Sequence, residues 1–62
     1  MKLREIRKRN GLSQERLSEL SHVDRVSISR YETGKKKPSV DNLKRLAVAL
    51  DVTTDELLGE SA

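Results

Sequence analysis

Residues 13–34 read SQERLSELSHVDRVSISRYETG. Two helices with a short turn between them fit this stretch. Ser13 can accept a backbone N–H as an N-cap, and Glu15 stands in the first turn, where the helix dipole favours an anion. Leu17 and Leu20 then recur at i, i+3 and form the expected apolar stripe of a helix over 14–20. Ser21-His22-Val23-Asp24 interrupts the pattern. Asp24 is placed to cap a second helix over 25–33, and Gly34 follows where a left-handed stop is required. So short a turn forces the two helices to cross steeply. Ser18 is small where they approach, and Val23 can plug the gap between them.

Working outward, the flanking segments also read as helices. Leu3 and Ile6 share one face of a helix over 2–9, with Gly11 as its stop. Pro38 cannot continue a helix, while Ser39 can cap one over 40–50. Val40, Leu43, Leu46, Ala47 and Leu50 give that helix its amphipathic stripe. Thr53 with Glu56 three residues on forms a capping box for a last helix over 54–58, from which Leu57 and Leu58 reach back to the core. Strand alternation is missing, and neither Phe nor Trp occurs, so a sheet is disfavoured. The expectation is an all-α, compact five-helix domain over 1–58, with 59–62 as a short tail.

The whole chain has 62 residues and no cysteine, and a single histidine. One small domain is therefore the limit, without disulfides, and a zinc site from one histidine alone is excluded. No apolar run approaches the roughly 20 residues that span a bilayer, and the basic N-terminus lacks the apolar stretch of a signal peptide. A cytoplasmic protein is the default. So small a chain can hardly enclose a substrate pocket beside a packed core. It also offers no nucleophile–base constellation. The expectation is a binding module with no cofactor, no metal and no small-molecule ligand, not an enzyme.

The net charge of +3 hides an asymmetry. Residues 1–37 hold eleven Lys/Arg against five Asp/Glu, and residues 38–62 hold two against five. Such a division suits a polyanion-binding face with an acidic end turned away. On a helical wheel for 25–33, Ile28 and Tyr31 define the inward side. The outward side then carries Val26, Ser29, Arg30 and Thr33, with Arg25 at its edge and no carboxylate; Glu32 falls on the inward flank. A helix with that solvent face is suited to the major groove of DNA. Arginine there can bond two acceptors of guanine, serine either base type, and a valine methyl can touch the thymine methyl.

The same residues carry a resemblance. From Leu12-Ser13-Gln14-Glu15 through Ile28-Ser29-Arg30, Glu32 with Gly34, Pro38-Ser39 and Asp55-Glu56-Leu57-Leu58, the chain resembles the helix-turn-helix of the phage-repressor/Cro (XRE) family. The likeness covers residues 3–58. It implies a five-helix domain whose second helix crosses the DNA backbone and whose third lies in the major groove. Carried over by position, Arg25, Val26, Ser29 and Arg30 match base contacts. Gln14, at a helix N-terminus that favours an anion, matches a phosphate contact, as do Thr33 and Lys35, with Lys36 and Lys37 adding charge. The resemblance also implies an ion pair between Arg7 and Glu32 that fixes the third helix against the first.

The chain departs from the family pattern at two places. His22 stands where most members have glycine, because the turn needs a positive φ; histidine tolerates that region better than most residues. Tyr31 stands where a small aliphatic residue is usual, and is expected in the core with its hydroxyl at the surface. Family members commonly dimerise through the last helix and the loop before it, which here offers Val52 and Leu58, with Leu57 kept for the core. The functional expectation is a sequence-specific DNA-binding transcriptional regulator of repressor type. It would bind double-stranded operator DNA, palindromic if two copies pair weakly on it. The alternative is an antitoxin-like protein-interaction module with secondary DNA binding.

Overall fold

The computed structural model describes residues 1–59, so the tail expected over 59–62 lies, from Glu60 on, outside the described residues. The described chain forms α1 (Leu3–Arg9), α2 (Gln14–Ser21), α3 (Arg25–Glu32), α4 (Val40–Leu50) and α5 (Thr54–Leu58), with no strand among the described residues. The fold is all-helical, and each boundary falls where the capping residues place it. Ser13, Asp24, Ser39 and Thr53 each accept a backbone N–H from the helix they open, which satisfies donors that have no partner inside the helix. At Thr53 the cap is reciprocal, because Glu56 reaches back to the Thr53 N–H. Thr33 caps the end of α3 rather than continuing it.

One core joins all five helices. Leu3, Ile6, Leu17, Ile28, Leu46, Leu50 and Leu57 are buried, with Val23, Tyr31 and Ala47 beside them. Val23 plugs the turn between α2 and α3, and its burial ties the crossing of those helices to the core. The backbone N–H of Lys2 bonds the carbonyl of Leu57 at 2.8 Å, so the N-terminus is stitched to α5.

Two members of the expected apolar stripes are outside the core. Leu20 is 45% exposed, and Ser21 takes the inward position instead. The buried pair on α2 is thus i, i+4, Leu17 with Ser21, and the Ser21 hydroxyl is satisfied because it donates to the Leu17 carbonyl at 2.7 Å. Val40 is 70% exposed. It shares the face of Ala47, seven residues on, but as the first residue of α4 it projects past the end of the core. Leu43, one turn further in, is half-buried. No helix of the described residues is long and apolar enough to cross a membrane.

Candidate nucleic-acid interface

The site begins with the turn. α2 ends on His22, which adopts φ 60° and ψ 27°, the left-handed region that reverses the chain direction in a single residue. The His22 N–H bonds the Ser18 carbonyl, and the Val23 N–H bonds the Ser21 hydroxyl at 3.2 Å. The Asp24 carboxylate then accepts the Val26 N–H at 3.1 Å. Four consecutive residues thus have their polar groups or apolar side chain assigned, and α3 leaves the turn in one direction.

α3 is clamped from behind and at its end. Ile28 and Tyr31 are buried, and the Tyr31 hydroxyl accepts from the Asn42 side-chain amide of α4 at 3.0 Å. The hydroxyl is therefore engaged within the fold rather than standing free at the surface. At the other flank, Arg7 Nε donates to Glu32 Oε2 at 2.6 Å and Arg7 Nη2 to Glu32 Oε1 at 3.1 Å. Such a two-pronged pair fixes orientation as well as distance. The two side chains are 10% and 3% exposed. Arg7 Nη1 also donates to the Leu12 carbonyl at 2.8 Å, and the Gln14 amide donates to Glu32 Oε1 at 3.1 Å. One carboxylate therefore joins α1, the start of α2 and the end of α3. Burial pushes the Glu32 carboxyl up, but the hydrogen bonds from Arg7 and Gln14 and the charges of Arg7 and Arg4 outweigh it and hold the pKa below its ordinary value. The Arg7 guanidinium is raised in turn, mainly by its hydrogen bond to Glu32, against the opposing effect of burial.

With Glu32 hidden, the outer face of α3 shows no acid. Arg25, Val26 and Arg30 are exposed and Ser29 is half-buried. Val26, at 46% exposure, stands between the two arginines in sequence-neighbour positions of the same face. Beyond α3 the chain folds back, with the N–H groups of Lys35 and Lys36 both bonded to the Arg30 carbonyl, so Lys35, Lys36 and Lys37 stand exposed beside the helix end. Thr33 is exposed, but its hydroxyl donates to the Ser29 carbonyl at 3.0 Å. Gln14 is half-buried, and one of its amide hydrogens is directed at Glu32. Its other N–H and the first backbone N–H groups of α2 are the donors left at that helix start.

The helix-turn-helix family profile matches residues 3–57. The chain belongs to the helix-turn-helix family, in its phage-repressor/Cro form. Relatives of this helix-turn-helix domain include the transcriptional activator BcrR of Enterococcus faecalis, 42% identical over 92% of the chain and 28% of BcrR. The transcriptional regulator AnsR of Bacillus subtilis is 36% identical over 94% of the chain and 50% of AnsR. The control protein C.MunI of a Mycoplasma species is 35% identical over 95% of the chain and 81% of C.MunI. The chain thus spans between about a quarter and a half of the length of the first two relatives. No solved structure gives a significant match to it.

Two features of this helix-turn-helix had no signal in the sequence. Ser21 is 3% exposed and braces the turn from inside; a serine beside a leucine reads as the outward member of the pair. Asn42 holds Tyr31 from α4, and an asparagine in the first turn of a helix reads as an ordinary capping-region residue. Val52, ahead of α5, and Leu58, its last residue, are both half-buried.

Proposed function

We propose that the domain binds double-stranded DNA in a sequence-specific manner and regulates transcription. α3 lies in the major groove, with Arg25, Val26, Ser29 and Arg30 reading base edges. Gln14, Thr33, Lys35, Lys36 and Lys37 hold the backbone. The observation that carries this reading is the outer face of α3, which exposes two arginines and an apolar methyl pair while its single acid, Glu32, is buried against Arg7. An eight-residue helix is roughly 12 Å long, which suits a groove about 12 Å wide. Thr33 serves as a phosphate donor through rotation of its hydroxyl off the Ser29 carbonyl.

Repression is the simplest output. Occupancy of an operator blocks other proteins without any further surface, whereas activation needs one. Two copies pair weakly on a palindromic site through Val52 and Leu58. Half-sites one DNA turn apart are separated by about 34 Å, and the domain is 31 Å in its longest dimension, so neighbours meet only at their ends. A DNA-binding role places the protein in the cytoplasm, and neither an enzymatic step nor a cofactor enters the reading. Selection from random duplexes followed by sequencing tests it: a motif a few base pairs wide, repeated in inverted orientation at one-turn spacing, is expected. Recovery of no motif would overturn sequence-specific reading, and a single unpaired motif would overturn the dimer.

A further inference from the structure

α1 carries more positive charge than its packing requires. Arg4 and Lys8 are exposed, and among the described residues neither has an ion-pair partner. At about 100° per residue, Leu3 and Ile6 point inward, Arg7 occupies one flank, Arg4 stands about 60° beyond it and Lys8 about 40° further, facing outward. Glu5 and Arg9 fall on the opposite flank. The Arg7 flank is the one turned toward the proposed DNA face, because Arg7 reaches Glu32 at the end of α3 and the Leu12 carbonyl ahead of α2. Arg4 stands one turn before Arg7 on α1, and Arg7 is bonded to Glu32 at the end of α3. The cleft of about 430 Å³ that includes Glu32 is also lined by Met1, three residues before Arg4, and by Lys36 and Lys37. Lys8 sits at the far end of the flank, where the Gly11 N–H bonds its carbonyl and the chain turns toward α2.

We infer that Arg4 and Lys8 form a second backbone track, on α1, that takes the phosphodiester of duplex DNA beyond the phosphates held by α2 and the Lys35–Lys37 loop. The inference rests on the DNA-binding reading above. Lys36, Arg4 and Lys8 follow one side of the molecule, and the acid between them, Glu32, is buried and paired. A phosphate arriving beside Arg4 meets long cationic side chains, and the exposed acid of α1, Glu5, lies one turn before Lys8 on the far side of it. Release of condensed counterions then rewards each contact, whatever the base sequence. The track widens the footprint without adding to specificity.

The test compares the full chain with Arg4→Gln/Lys8→Gln, and with Arg9→Gln as a control that removes the same kind of charge from the opposite flank. Binding to the duplex recovered by selection is measured across a salt series. The double variant is expected to lower the magnitude of the log–log salt slope by about 1.8 per bound domain, at roughly 0.9 per phosphate, with the selected base motif unchanged. Arg9→Gln keeps the parent slope, and the charge-retaining pair Arg4→Lys/Lys8→Arg restores it, which separates lost contacts from a disturbed fold. A double-variant slope equal to the parent's, or an equal loss from Arg9→Gln, would overturn the track. A parent chain whose binding to duplex DNA ignores salt would overturn the DNA-binding reading itself, and the track with it.

Discussion

Glu32 is the residue on which the aim of α3 depends. Its carboxylate is 3% exposed and receives three side-chain hydrogen bonds, two from Arg7 and one from Gln14. Removing one member of a buried pair leaves the other charge without compensation, at a cost of about 3–5 kcal/mol. A domain of this size has a total stability of only about 3–9 kcal/mol. Glu32→Ala is therefore expected to remove a large part of that stability. Arg7→Met/Glu32→Leu, which removes both charges and keeps the volume, is expected to return to within about 1 kcal/mol of the parent. Urea denaturation of both variants checks this; equal loss in the two would mean that shape, not charge compensation, matters at the site. The same carboxylate sets an acid limit. Its folded pKa is depressed, so its contribution is complete above the ordinary glutamate range near pH 4 and is lost as pH falls through the lower folded value. The stability gap between the parent and Glu32→Gln should thus shrink between about pH 6 and pH 3. A gap that does not change with pH would show that the Glu32 charge adds nothing to folding.

At the scale of the elements, the turn and the recognition helix can be varied separately. His22 holds φ 60° at the end of α2, a conformation that costs most L-residues roughly 1–2 kcal/mol and glycine almost none. Glycine gives back part of that through its larger unfolded-state entropy. His22→Gly is expected to raise stability by about 0.5–1 kcal/mol, several degrees of Tm for so small a domain; a lower Tm would mean that the imidazole makes a contact worth more than the strain. On α3, Arg30 and Lys36 divide the work. Arg30→Ala should cost about 1–3 kcal/mol of affinity and relax preference at one base position, while Lys36→Ala should weaken all sequences alike. Competition assays with single-base variants of the site read both, and uniform losses in the two would refute the division. The elements themselves were legible because caps are chemically explicit: Ser13, Asp24, Ser39 and Thr53 each announce a start. Which apolar residue faces inward was less so. Leu17 with Leu20 and Leu17 with Ser21 are equally good helix neighbours, and the crossing of α2 against α4 chooses the second. Arg7 and Glu32 were legible through resemblance, since 25 residues separate them and no local spacing joins them. The bond from Gln14 to Glu32 was not, because it depends on how the start of α2 meets the end of α3.

Across the whole molecule, charge is sorted by position. The part that contains α1 to α3 and the lysine loop carries the excess of cations, and the part that contains α4 and α5 an excess of acids. Two of the five acids in the first part are in ion pairs: Glu32 with Arg7, and Glu19 with Arg16 in an exposed pair worth at most about 1 kcal/mol. The consequence is an oriented approach, in which a polyanion is attracted to one side of the domain and repelled at the other. Close contact then replaces counterions along the backbone. For about five to eight phosphates per bound domain, the log of the binding constant should fall against the log of salt with a slope of roughly −4 to −8. The measurement is equilibrium binding to a duplex between about 50 and 300 mM salt, at protein concentrations low enough to follow one domain. A non-specific duplex should give a slope of similar size at lower affinity, since phosphates supply that part of the binding and base edges do not. A slope near zero would sever the link between the charge distribution and binding, because base contacts alone release almost no counterions.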